Sequence, residues 1–268
     1  MLIAGLLVVA GAITGVLAGL FGVGGGVISV PILYFCFGLI GLSDDLAMPM
    51  AVGTSLAIII PTSIRSALGH YKKGAVDVAI VKAWAIPVLL SVMLGSWLAR
   101  FADAWVFQSV FVVVALTNAA KHLGGNTSWR IANDLPKGPL LWAYGAIVGL
   151  LSALMGIGGG AISNLLLTLH NRTIHQSVAT SAAVGVLISI PGAIGYVLAG
   201  WDKEGLPLGS LGYVSFIGFA LLVPSTLLTT GIGVNLAHRL SRRHLEKAFG
   251  FFLLLASFRF IARLAGWF

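Results

Sequence analysis

A chain of 268 residues with 58% hydrophobic and 9% charged residues cannot cover a water-facing surface, because soluble domains carry about 25% charged residues. With a mean hydropathy of +1.02, its 16 Lys and Arg and 8 Asp and Glu exclude an ordinary soluble enzyme and leave an integral membrane protein. One cysteine, Cys36, without Cys/His spacing excludes a disulfide framework and a thiolate zinc site. The net charge of +8 sits in short loops between apolar runs and not on one soluble face, so it points to membrane topology and not to nucleic acid.

A helix needs about 20 apolar residues to span a hydrocarbon core of ~30 Å. The apolar runs fall at residues 2–21, 27–41, 46–69, 76–99, 104–121, 139–155, 161–170, 175–199, 211–237 and 245–266. The first lacks a basic n-region and a small-residue cleavage site, so it is read as a retained membrane segment and not a signal peptide. Two runs are short: as helices, 27–41 would rise about 22 Å and 161–170 about 15 Å. Each directly follows a glycine cluster, which predicts short, re-entrant or interrupted helices.

The chain repeats itself. GVLAGLFGVGGGVISVPILY, from Gly15, matches GLLSALMGIGGGAISNLLLT, from Gly149, without a gap, half a chain apart. Val52-Gly53-Thr54-Ser55 then pairs with Val178-Ala179-Thr180-Ser181, Gly69 and Gly74 with Gly195 and Gly200, and Gly95–Arg100 with Gly233–His238. Residues 1–121 form a first repeat, 122–138 a cytoplasmic linker and 139–268 a second repeat. Five segments per repeat, an odd number, predict inverted topology. One set of alternate loops carries Lys72, Lys73, Lys121, Arg130, Lys137, Arg172, Arg239, Arg242, Arg243 and Lys247. The other carries Asp44, Asp45, Arg100 and Asp202-Lys203-Glu204. The first set is therefore expected on the cytoplasmic side and both termini on the periplasmic side. Arg259 and Arg263, in the last segment, are expected to snorkel to the outer interface.

The glycine clusters, Gly22, Gly24, Gly25 and Gly26 and then Gly156, Gly158, Gly159 and Gly160, are the strongest candidates for chemistry. No strand precedes them and no Lys follows, which argues against a nucleotide loop. Close helix packing is one reading. The other is a pair of broken helices meeting near the bilayer midplane from opposite sides, as in inverted-repeat transporters. Helix N-termini carry unpaired N–H donors and about half a positive charge, so two opposed ones make an anion site without a lysine. The hydroxyl pairs Thr54/Ser55 and Thr180/Ser181 and the amide of Asn164, whose repeat partner is Val30, are candidate donors to that anion; bonding within or between helices is the alternative. Arg65 is a candidate gate or countercharge, or a snorkelling interface residue; Lys82 has the same ambiguity. His70, His170 and His175 read as interface residues. The eight acids fall in loops or at helix ends, which disfavours a carboxylate site for cation transport. No metal constellation and no nucleophile–base pair is visible, so no cofactor, metal or catalytic residue is expected.

Together, GVLAGLFGVGGGVISVPIL, AVGTS, HYKKGAVD, GLLSALMGIGGGAIS and VATS resemble the sulfite exporter TauE/SafE family, also called the toluene sulfonate uptake permease family. The resemblance spans essentially the whole chain. It implies a multi-pass transporter of the bacterial inner membrane for small sulfur-containing anions such as sulfite, sulfonates, sulfoacetate, taurine-related compounds or thiosulfate. It also carries the family's motif onto the eight glycines and onto Thr54, Ser55, Thr180 and Ser181. Leu165 stands where the first repeat has Pro31, a departure from strict symmetry.

The expected architecture is thus an all-α polytopic membrane protein of two inverted five-segment repeats. The expected activity is secondary transport by alternating access, with the anion held between the glycine-rich turns. No ATP-binding motif is present, so a proton or sodium gradient, or the substrate's own gradient, would drive it. A passive anion channel and a non-transporting membrane scaffold are the alternatives. The chain's size is compatible with a homodimer.

Overall fold

The computed structural model describes residues 2–124 and 130–265. Ten helices are seen among them: α1 (Leu2–Phe21), α2 (Gly26–Leu39), α3 (Asp44–Lys72), α4 (Val78–Leu98), α5 (Ala104–Leu123), α6 (Pro139–Met155), α7 (Gly160–Leu169), α8 (Ile174–Ala199), α9 (Phe216–Arg239) and α10 (Arg242–Leu264). Five of them, α3, α4, α5, α8 and α9, are long and apolar enough to cross a membrane. The expected segments match these helices to within a few residues, with one correction. The run from 211 does not begin a helix, because Ser210–Leu211 and Val214–Ser215 pair as a short antiparallel hairpin. Gly209 and Gly212 both adopt positive φ around it, and α9 starts only at Phe216.

Polar residues set the helix starts. Asp77 caps α4 by accepting from the Ile80 amide, Thr173 caps α8 through Gln176, and Ser215 caps α9 through Gly218. Each cap satisfies one of the N–H groups that a helix leaves unpaired at its start.

The helices then pair across the two halves of the sequence. α1 lies along α9, and α6 lies along α4. Small residues allow both crossings: Gly11, Gly15 and Gly19 of α1 face Leu222, Thr226 and Thr230, while Gly145 and Gly149 of α6 face Trp84 and Val88. From the other side, Gly233 of α9 faces Val16 and Leu20, and Gly95 of α4 faces Leu150 and Ala153. A Cβ on Gly15 would come within 2.8 Å of Thr226 Cα, and one on Gly149 within 2.7 Å of the Val88 carbonyl oxygen. In lipid, helix association depends on this backbone proximity, because the tails are as apolar as the side chains. α3 and α8 pack together at the centre, flanked by α2 and α7, and α5 pairs with α10.

Charge divides the ends of this bundle. One end holds Lys72, Arg172 and Arg239, joined by contacts of His70 with His238 and of His175 with the Leu240 carbonyl. At the opposite end Arg263 pairs with Asp44, which also accepts from Tyr34 Oη at 2.7 Å. α1 runs parallel to α9 and α10 ends beside Asp44, so the start of α1 and the end of α10 lie at this acidic end. The side chains of Arg242 and Arg259 lie outside the described residues.

Candidate functional site

α1 stops at Phe21 and α6 at Met155, and in each case four glycine-rich residues separate it from the next helix. Gly25 (φ 88°) and Gly159 (φ 74°) start α2 and α7 from the left-handed region. An L side chain reaches that region at a cost of roughly 1–2 kcal/mol, so glycine is what lets the chain reverse here. The first turn lies against Ile59 and Ser63, near the middle of α3. The second lies against Gly185 and Ile188, near the middle of α8. Both turns therefore sit at half-height, fully buried.

The turns touch one another. A Cβ on Gly26 would collide with the Gly156 carbonyl and lie 2.8 Å from Ile157 Cα. A Cβ on Gly160 would collide with Val23 Cα and lie 2.7 Å from the Gly22 carbonyl oxygen. The start of α2 thus approaches the carbonyl end of α6, and the start of α7 approaches the carbonyl end of α1. Each positive helix end faces a negative one, so protein carbonyls stand beside the first-turn amides of both short helices. None of the four described cavities is lined by a motif glycine.

The two serines and Asn164 hold this contact. Ser55 Oγ donates to the Gly156 carbonyl at 2.7 Å. Ser29 Oγ lies 2.8 Å from Ser55 Oγ and also donates to the Gly25 carbonyl at 3.3 Å. In the other half, Ser181 Oγ donates to Asn164 Oδ1 at 2.8 Å, and Asn164 Nδ2 donates to the Phe21 carbonyl at 3.0 Å. Asn164 therefore lengthens on one side the link that Ser55 makes directly on the other. Interhelical bonds of this kind in membranes average about 0.6 kcal/mol.

The threonines are engaged elsewhere. Thr54 Oγ1 accepts from the Ser215 amide at 2.9 Å, and Thr180 Oγ1 accepts from the Asp77 amide at 3.0 Å. The first fixes the start of α9 and the second the start of α4, and neither reaches the turns. Arg65 is also remote from the turns: it is exposed, with its guanidinium over Gly231 of α9, in a cleft shared with Lys72 and Lys73. Lys82 lies in the first turns of α4 and is exposed. His70, His170 and His175 make ring contacts to the carbonyls of Gly19, Leu166 and Leu240. Among the described residues no group of three His, Cys, Asp or Glu is placed to hold a metal.

Sequence reasoning missed three hydroxyls beside the turns. Thr14, Ser63 and Ser152 are fully buried, and their oxygens lack a hydrogen-bond partner. Ser63 Oγ lies 2.9 Å from where a Gly24 Cβ would stand and 2.8 Å from a Gly185 Cβ, which places it between the first turn and α8. The signal for Ser63 was available: Ser55, Thr62, Ser63 and Ser66 form a polar stripe on one face of an otherwise apolar helix.

With this geometry established, comparison with known proteins places the chain. The family model described as "Sulfite exporter TauE/SafE" matches residues 7–260. The chain belongs to the sulfite exporter TauE/SafE family. A relative from Haemophilus influenzae is 31% identical over 249 residues, covering 92% of this chain and 94% of its own length. One from Methanocaldococcus jannaschii is 31% identical over 243 residues, covering 90% and 89%. One from Bacillus subtilis is 30% identical over 217 residues, covering 73% and 78%. All three carry the description "Probable membrane transporter protein". No solved structure matches the chain. It is therefore a multi-pass, membrane-embedded member of a transporter family.

Proposed function

We propose that the chain is a secondary carrier for small sulfur-containing anions of the sulfite, sulfonate, sulfoacetate or thiosulfate class. The observation that carries this reading is the meeting of the two glycine turns at half-height, each half-helix start set against the other half's turn. When the turns part, the first-turn amides of α2 and α7 lose their carbonyl neighbours. An oxyanion then supplies the negative charge those amides face. Ser63, buried and unpartnered between the first turn and α8, is an additional donor.

The mobile bodies in this mechanism do not coincide with the two inverted repeats. Because α1 packs on α9 and α6 on α4, one body is α1, α2, α3 and α9, and the other is α4, α6, α7 and α8. Sliding at the α3–α8 contact exposes the turns to one side at a time, as alternating access requires. The excess of Lys and Arg at the basic end orients that end to the cytoplasm, with both termini periplasmic in the bacterial inner membrane.

The test is sulfite counterflow in proteoliposomes. Saturable exchange is expected for the native protein, with loss in Gly25→Val and Gly159→Val variants that still elute as folded protein. Unsaturable flux would make it a channel, no flux would leave a scaffold, and normal exchange by both variants would remove the turns from the mechanism.

A further inference from the structure

A second feature lies far from the glycine turns. On α3, Arg65, Leu68 and Lys72 form an exposed stripe at helical spacing, and on α9 Leu228, Ile232 and Asn235 form another. Between the two helices runs a cleft of about 460 Å³, lined by Arg65, Lys72, Lys73, Asn235 and the apolar Leu68 and Val234. Gly231 forms part of its floor. A Cβ there would lie 3.7 Å from an Arg65 guanidinium nitrogen, so the arginine rests across the backbone of α9.

The depth of this charge is what needs an explanation. Arg65 is two helical turns, roughly 10 Å, from the end of α3 at Lys72. Its guanidinium stays at that depth over Gly231 and is not drawn to the rim, where a snorkelling arginine would go. Among the described residues no acid lines the cleft, and neither Arg65 nor Lys72 makes a hydrogen bond or ion pair. Lys73 is tied by a 2.9 Å bond to Asn235 Oδ1, which leaves the amide nitrogen of Asn235 available to donate. Three cations with an amide donor above an apolar floor, open toward the lipid, match an anionic headgroup with the first part of its acyl chains. Arginine engages a phosphate through two parallel bonds, and lysine as a point charge.

We propose that this α3–α9 cleft binds the phosphate of an anionic phospholipid, with Arg65 and Lys72 as its main contacts and Leu68 and Val234 against the chains. The inference rests on the membrane placement of α3 and α9 and is independent of what the protein transports.

The experiment is lipid titration of delipidated, detergent-purified protein by native mass spectrometry, comparing phosphatidylglycerol with phosphatidylcholine. Phosphatidylglycerol is expected to bind at least tenfold more tightly. Arg65→Gln and Lys72→Gln should each weaken it about fivefold, and together about thirtyfold; Lys137→Gln, on a distant loop, should have no effect. Gly231→Leu fills the floor without changing charge and should also abolish the preference, which guards against reading a folding defect of a charge variant as lost binding. Equal binding of the two lipids, or native affinity in the double variant, would overturn the proposal. So would full competition by millimolar inorganic phosphate, because the cleft would then be a site for a soluble anion.

Discussion

The contact between the glycine turns makes a sharp prediction at Gly160. A methyl group there would collide with Val23 Cα and stand 2.7 Å from the Gly22 carbonyl oxygen and 2.9 Å from Val23 Cβ. Non-bonded carbon atoms settle at about 3.5–4.0 Å, so the overlap with Val23 Cα exceeds about 1 Å. It falls on backbone, which cannot rotate aside. Overpacking of this kind costs about 1–3 kcal/mol, and the absence of a movable neighbour places Gly160→Ala at the upper end. Replacing a helical glycine with alanine returns roughly 0.5–1 kcal/mol, leaving a net loss of about 2 kcal/mol. At roughly 2–4 °C per kcal/mol for a chain of this size, the unfolding midpoint should fall by about 4–8 °C. Gly38→Ala is the control, since Gly38 is also helical and a Cβ there meets nothing within 4 Å. Its midpoint should stay level or rise. Far-ultraviolet circular dichroism of the detergent-purified proteins on heating reads both. If Gly160→Ala melts at the native temperature, or the two variants shift alike, the turns are not in contact.

Other expectations are open to equally direct tests. Asn164→Leu strands the buried Phe21 carbonyl and the Ser181 hydroxyl and should cost about 1–2 kcal/mol; Ser181→Ala should cost less in that background than alone, and strictly additive melting shifts would refute the bridge. Ser63→Ala removes a buried hydroxyl that has no hydrogen-bond partner, so its melting midpoint should not fall, while sulfite affinity should drop about fivefold if Ser63 donates to the anion; a drop in both, or in neither, refutes that role. Arg263→Gln breaks a pair whose side chains are 40% and 44% exposed, so it should cost under about 1 kcal/mol; a larger loss by thermal melting would show the pair is not solvent-screened. With Cys36 replaced by serine, a cysteine at Lys203 should react with an impermeant maleimide from outside intact cells and one at Lys137 only after permeabilisation, and the reverse pattern would invert the topology.

Much of the fold was legible because apolar run length encodes a spanning helix, and glycine encodes where one is broken. Residues 22–26 and 156–160 announced both turns, and their half-chain spacing announced that the turns would be related. The pairing of α1 with α9 was not legible from hydropathy, since lipid rewards every apolar face alike. Its trace in the sequence is the four-residue spacing of Gly11, Gly15 and Gly19, which only coordinates connect to Thr226 and Thr230. The hydroxyl motif was half legible. Symmetry singled out Thr54-Ser55 and Thr180-Ser181, but a one-residue step on a helix turns a side chain by about 100°. The threonines therefore meet the capping residues Ser215 and Asp77, while the serines act at the turns. The hairpin at 210–215 was hidden inside an apolar run, where only Gly209 and Gly212 hinted at it.

The crossing of α1 with α9 also sets the order in which the molecule can be built. α1 leaves the ribosome about 200 residues ahead of its partner, a wait of roughly 10–40 s at 5–20 residues per second. Until then its glycine face has no match in the bilayer. A nascent chain cut after the first half would strand α1 and leave α4 without α6, so neither half should mature alone. The two halves expressed as separate polypeptides should instead rescue each other, each supplying the helix that the other lacks.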